Sequence, residues 1–227
     1  VDEAQLPGIA AAIETCFGER AAAARRYAAL LATDGIEFGL IGPREADRIW
    51  RRHLFNSAVL APLIPARASV LDVGSGAGLP GIPLALARPD LSVTLLEPMA
   101  RRVRFLQRCV AALELPRLRV ASGRAPQTEL RARVVVARAV APLAVLVDLA
   151  LPLCAPGGFL LALKGRTVEV ESAELMRQRG FDTRILKLED AAGEPAYVAR
   201  VRRTAGPAGR PAAGPARRRP ASPKGRR

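Results

Sequence analysis

Residues Val70–Gly81 read VLDVGSGAGLPG. The apolar run Ser69–Val73 predicts a buried strand with Asp72 near its end. Four glycines follow within eight positions: Gly74, Gly76, Gly78 and Gly81. Glycine tolerates φ > 0 and lets a ligand approach the backbone. Pro80 and Pro83 suit the first turn of a helix, where a missing N–H costs little. Strand, tight loop and helix start, in that order, hold nucleotide-like ligands.

Two ligand classes use such a loop. Gly76–Gly81 matches the dinucleotide pattern G-x-G-x-x-G literally, which taken alone predicts an NAD(P)-dependent oxidoreductase. Asp72 argues for the other class. A pyrophosphate would be repelled by a carboxylate at the lip of its loop. S-adenosylmethionine has no phosphate, and its ammonium and sulfonium are both cationic. Asp72, whether it binds the ammonium or braces the loop, therefore points to the sulfonium cofactor. Glu97 closes the next apolar run, Val93–Leu96, where an acid can accept hydrogen bonds from ribose hydroxyls of either cofactor.

Around this stretch, strands and helices alternate. Strands are expected at Ser69–Val73, Ser92–Leu96, Leu118–Ala121, Arg133–Ala137, Phe159–Leu163, Thr183–Leu188 and Ala196–Arg202. Helices are expected at Gly81–Ala87, Ala100–Leu113, Leu143–Leu153 and Val168–Arg179, with a turn at Gly157-Gly158. The pattern is that of a doubly wound α/β sheet, whose ligands sit beyond the carboxyl ends of the strands. Asp72, Glu97, Arg138 and Lys164 all fall at or just past such ends. Upstream, Ile9–Thr33 and Arg44–Leu60 carry apolar residues at helical spacing, with a break over Gly35–Pro43. The expected organisation is a helical extension over 1–66, a sheet domain over 67–203 and a basic tail over 204–227. The tail has no large apolar residue and cannot bury enough surface to offset its ordering entropy.

The chain has 227 residues and a net charge of +14. From Arg202 onward it carries nine Lys or Arg and no acid, so the remainder keeps only +5. Such a balance suggests a polyanionic partner, most simply nucleic acid, or else only a solvated basic surface. Aromatic residues make up 4%, so no stacking platform for single strands is evident. No apolar run approaches the ~20 residues of a membrane span, and Val1–Glu19 lacks the form of a secretory leader. Cys16, Cys109 and Cys154 are scattered without a C-x-x-C, and His53 is the single histidine. That pattern predicts reduced thiols in a cytoplasmic protein and no metal site.

The chain resembles a known family in the strings LDVGSGAGLPGIPLALARPDLSVTLLEP, RRVRFLQ, GRA, ARAVAPL, PGG and ALKG. These look like the small-subunit ribosomal RNA guanine-N7 methyltransferases called RsmG or GidB, over about Tyr27 to Val201. The resemblance implies a class I S-adenosylmethionine-dependent methyltransferase, Rossmann-like, with a seven-stranded doubly wound sheet and an N-terminal helical extension. It implies methylation of one guanine in the 530 loop of 16S RNA, on naked RNA or a ribosomal particle, by a monomer. By the same resemblance Gly74 and Leu79 contact the cofactor, with Gly76 and Gly78 in the same loop. Glu97 holds the ribose, and the backbone of Ala125-Pro126 borders the adenine. Arg138 reaches the cofactor or the target pocket, while His53 and Lys164 face the RNA. The chain departs from the common family pattern at Phe38-Gly39-Leu40, Asn56 and Pro126. A non-catalytic ribosome-binding factor on the same fold is therefore the alternative.

The chemistry fits what the sequence lacks. Guanine N7 has a lone pair and no proton at neutral pH, so transfer from a sulfonium needs no general base. Catalysis should then consist of positioning and electrostatics. Guanine O6 is the acceptor left for an Arg or Lys donor, which singles out Arg138 and Lys164. Arg101, Arg104 and Arg108 share a helix face and could contact RNA backbone or simply be solvated.

Overall fold

The strands are β1 (Ser69–Val73), β2 (Ser92–Glu97), β3 (Leu118–Ser122), β4 (Ala132–Arg138), β5 (Cys154–Lys164), β6 (Phe181–Glu189) and β7 (Pro195–Arg203). This computed structural model describes residues 6–138, 140–177 and 180–204, so nearly all of the expected basic tail lies outside the described residues. The seven strands form one sheet in the order β3-β2-β1-β4-β5-β7-β6. The first five pair in parallel, and β7 runs antiparallel between β5 and β6. The β6–β7 connection is only a short turn, closed by Asp190 N–H to the Glu194 carbonyl at 2.9 Å. A turn that short permits only antiparallel pairing, so the doubly wound sheet is mixed.

The strand residues alternate between two cores, as a sheet covered on both faces requires. Val70, Val93, Leu95, Val134, Val136, Leu161 and Leu163 belong to one cluster. Leu71, Val73, Leu96, Val135, Ala137, Leu160 and Ala162 belong to the other. Helices α1 (Pro7–Phe17) and α2 (Ala21–Leu30) lie with α4 (Gly81–Ala87) and α5 (Ala100–Leu113) over the first face. Helices α6 (Leu143–Ala150) and α7 (Val168–Arg177) cover the second. The extension therefore shares one continuous core with the sheet. Its aromatic centre is Phe17, Trp50 and Phe55, with ring centroids 5.9–6.4 Å apart.

Three segments differ from their expected form. Arg44–Leu60 is not one regular helix: it starts as a tight turn at Pro43–Arg48, widens over Ile49–Phe55 and closes in α3 (Asn56–Ala58). Gly157-Gly158 is no turn before β5 but lies within it, where the β4–β5 register shifts between Ala132 and Val134. A Cβ on Gly158 would come within 2.6 Å of the Arg133 carbonyl, so the glycine allows a close backbone approach at a strand irregularity. The basic face of α5 is partly taken up by the extension. Arg101 donates to the Glu37 carbonyl at 2.8 Å and lies 5.4 Å from the Phe38 ring centroid. Arg108 pairs with Asp34 at 3.0 Å, although Arg101, Arg104 and Arg108 all remain exposed.

Candidate active site

The loop after β1 hangs from β2 on one side and from the extension on the other. Gly74 and Ser75 N–H groups donate to the Leu96 carbonyl at 2.9 and 3.2 Å. Gly76 N–H donates to Glu97 Oε2 at 3.0 Å, and Met99 N–H donates to Glu97 Oε1 at 3.0 Å. Gly81 N–H, at the start of α4, donates to Asp72 Oδ2 at 3.0 Å. From the opposite side, Tyr27 Oη donates to the Ala77 carbonyl at 2.8 Å. Gly74, Gly76 and Gly78 have φ of 69°, 55° and 95°, a region that favours glycine. Gly81 is needed for space instead: a Cβ there would strike Leu95 and stand 2.7 Å from Asp72 Oδ2.

Asp72 sits behind this loop and not at its lip. It occupies the same sheet face as Val70, is fully buried, and its Oδ1 has no hydrogen-bond partner among the described residues. Burial pushes its carboxyl up to about 7, opposed by the Gly81 N–H. The structure thus shows its bracing role directly and leaves one acceptor oxygen unused. Glu97, 1% exposed, ties the loop to β2 through Oε2 and accepts from Met99 N–H through Oε1, and each oxygen retains a lone pair.

Arg138 stands at the end of β4 and is largely enclosed. It faces the extension and fastens to it. Nη1 donates to the His53 carbonyl at 3.2 Å and to Ser57 Oγ at 2.9 Å. Nη2 donates to the Arg52 carbonyl at 2.7 Å and lies 3.1 Å from His53 Nδ1. Arginine only donates, so His53 Nδ1 accepts, and the ring proton resides on Nε2, 3.1 Å from Glu45 Oε2. Burial, and then the Arg138 charge, pull the His53 imidazole down to about 4, with Glu45 opposing. His53 is therefore neutral at pH 7. Burial also lowers the Arg138 guanidinium to about 10, which leaves it cationic.

Lys164, one strand further along, points to the other face of the sheet. Its Nζ pairs with Glu171 Oε2 at 2.7 Å and donates to the Ala141 carbonyl at 3.0 Å. Glu171 also accepts from Leu143 N–H at 3.0 Å, so it anchors α6 and α7 to the same lysine. The Lys164 ammonium and these hydrogen bonds hold the Glu171 carboxyl below its ordinary value.

These side chains surround two cavities. One, of about 330 Å³, opens on Gly74, Ser75, Gly76, Ala77 and Leu79. Its far wall is Glu45, Arg52, His53, Arg102 and Arg138. The other, of about 530 Å³, is bounded by Arg48, Arg51, Asn56, Lys164, Asp190 and Glu194, and shares Arg52 and Arg138 with the first. The structure thus unites Gly74, Gly76, Leu79, His53 and Arg138 at one cavity, with Asp72 and Glu97 bracing its loop. Lys164 lies at the second. Ala125 and Pro126 follow β3 and line neither cavity. Sequence reasoning missed Tyr27, Glu45, Arg52 and the Asp190–Glu194 turn. No local pattern marks them, because the folded chain alone brings them to the cavities. Among the described residues there is no His, Cys, Asp and Glu group placed to hold a metal ion, and no helix is long and apolar enough to cross a membrane.

A glycine loop after the first strand, acids at the ends of β1 and β2, and the order β3-β2-β1-β4-β5-β7-β6 define an S-adenosylmethionine-dependent methyltransferase fold. Solved structures share it. A SAM dependent methyltransferase from Aquifex aeolicus superposes with a TM-score of 0.51 at 16% identity, over 74% of this chain and 96% of that one. A methyltransferase from Pyrococcus furiosus gives 0.51 at 15% identity, over 63% and 78%. The family described as rRNA small subunit methyltransferase G, GidB, matches residues 20–191. The ribosomal RNA small subunit methyltransferase G of Thermobifida fusca is 53% identical over 195 residues, 83% of this chain and 82% of that protein. The protein of the same name from Streptomyces coelicolor is 46% identical over 216 residues, 92% and 90% respectively. The chain belongs to the rRNA small subunit methyltransferase G family.

Proposed function

We propose that this chain transfers a methyl group from S-adenosylmethionine to N7 of a guanine in the 530 loop of small-subunit ribosomal RNA, acting as a monomer in the cytoplasm. The observation that carries the reading is the pair of cavities with a common wall at Arg52 and Arg138. One is floored by the glycine loop, and the other presents Arg48, Arg51 and Lys164, suited to a nucleotide, alongside the acids Glu171, Asp190 and Glu194. Family membership supports the substrate class.

The residues at the loop fit the cofactor. Space is open before Gly76, where an added Cβ would meet nothing nearer than 3.8 Å. Glu45 is an acceptor for an ammonium, while Arg52 and Arg102 are donors for a carboxylate. Glu97 keeps lone pairs for ribose hydroxyls, and the Ala125-Pro126 backbone would border the adenine. Bound there, the cofactor supplies a methyl on a cationic sulfur and leaves as a neutral thioether.

The rest is the protein's work. No residue has to remove a proton from guanine N7, and the single histidine, His53, is neutral and engaged at both nitrogens. It serves to orient Arg138. Lys164 and Arg138 stand where guanine O6 could be held, which turns the adjacent N7 toward the glycine-loop cavity. Positive charge passes to the purine without being created, so alignment accounts for most of the acceleration.

Transfer of a tritiated methyl to purified small subunits, with the modified base identified by mass, tests this. Label in 7-methylguanine of the 530 loop is the expected result. Label in another base, or none, would overturn the reading.

A further inference from the structure

We infer that Tyr27 is a positioning residue for the cofactor: through its hydroxyl, the N-terminal extension sets the shape of the glycine loop. The inference rests on the reading that this loop holds S-adenosylmethionine.

The sheet secures the loop only at its two ends. Leu96 and Glu97 hold Gly74, Ser75 and Gly76, and Asp72 holds Gly81. The middle, Ala77–Leu79, is turned back on itself by Gly78 and Leu79 N–H donating to the Ser75 carbonyl at 2.7 and 3.1 Å. This leaves the Ala77 carbonyl, and it is Tyr27 Oη, fifty residues upstream, that donates to it at 2.8 Å. The same hydroxyl lies 3.1 Å from where a Gly78 Cβ would stand, so the loop is packed tightly against it. Ala77 and Leu79 line the cofactor cavity on their other side. The orientation of the 77–78 peptide, and hence the floor of the cavity, follows the position of the tyrosine.

Two further facts fit a dedicated donor. The Tyr27 side chain is fully buried, where a phenolic hydroxyl needs a partner, and the Ala77 carbonyl is that partner. Burial raises its pKa well above the ordinary value, so it stays protonated and donating. A phenylalanine would fill the same volume as packing but could not fix the carbonyl. The hydroxyl therefore has a task at the loop that the ring does not.

The test compares Tyr27→Phe with the wild-type chain by calorimetry with S-adenosylmethionine and by kinetics on small subunits. The expected result is a rise of about tenfold in cofactor Kd and KM. The kcat at saturating cofactor and the KM for the subunit should stay within about twofold. Phe17→Leu, in the aromatic centre of the extension, serves as the control for general destabilisation. It should lower the melting temperature and leave cofactor Kd unchanged. A Tyr27→Phe Kd within about twofold of wild type would overturn the inference while leaving the cofactor reading intact. An equal rise in Phe17→Leu would do the same. Wild-type protein that binds no S-adenosylmethionine would overturn the cofactor reading and this inference with it.

Discussion

The glycine loop and the Arg138 latch lie on neighbouring strands and are held in opposite ways. The loop takes its side-chain bonds from Asp72 and Glu97, nine and 21 residues from the backbone groups they hold, and from Tyr27 on the extension. The latch spans 81 to 86 residues, from the end of β4 to the carbonyls and side chains of 52–57. The loop is shaped by its own glycines, by acids at adjacent strand ends and, at its middle, by one hydroxyl of the extension. The latch exists only once the extension has docked. What this teaches is that cofactor binding and the assembly of the target pocket are separable within one rim, and substitutions can separate them.

The largest effect is expected at the loop. Gly81→Ala places a methyl against Leu95 and Asp72, both buried, and should cost about 3–5 kcal/mol. Denaturant unfolding measures that loss, and calorimetry should find no cofactor binding. Arg138→Lys comes next. A lysine keeps the charge but not the planar fork, so it cannot serve Arg52, His53 and Ser57 together. It should cost about 2–3 kcal/mol and most of the methyl transfer. If latch and loop are separable, cofactor Kd at a temperature where the variant is folded stays at the wild-type value.

The pH dependence of stability sharpens the same contrast, because the two regions titrate with opposite sign. Asp72 is raised to about 7, so its contribution is complete below its ordinary value and is lost as pH rises through 7. His53 is lowered to about 4, so its contribution is present above 6.5 and is lost as pH falls through 4. In the wild-type chain the slopes oppose each other over about pH 4–7. Asp72→Asn should unmask a stability that rises with pH across that window, and His53→Gln one that falls, each by about 1–3 kcal/mol in denaturant titrations. Parallel slopes in the two variants would show that at least one of the two groups does not titrate as described. The smallest effect belongs outside both regions. Arg108→Ala breaks a partly exposed ion pair with Asp34 and should change stability by less than about 0.5 kcal/mol.

Most of the sheet was legible from the sequence because its strands and helices follow local periodicity. Ser69–Val73, Gly81–Ala87 and Ala100–Leu113 stand where alternation, proline and apolar spacing put them. The helical extension was legible as helix but not in its breaks, because the widened turn at Ile49–Phe55 meets a requirement from β4. Asp72 and Glu97 were recognisable as site acids, yet Asp72 was read at the lip when it lies behind the loop. Strand parity alone places it there, on the same face as Val70. The same parity sends Arg138 and Lys164 to opposite faces, since one ends β4 and the other ends β5 at positions of opposite phase.

By itself the sequence determined the strand–loop–helix at Val70–Gly81, the order of the elements after it and the strings that relate it to its family. All of these are written within a few residues of chain, where backbone preference and side-chain period act directly. The tertiary structure alone decided that Arg138 fastens the extension, that His53 is a neutral spacer between Glu45 and Arg138, and that Tyr27 holds Ala77. Those contacts join residues 8 to 86 positions apart. Their geometry is fixed by how helices pack on a twisted sheet, which no short window of sequence records.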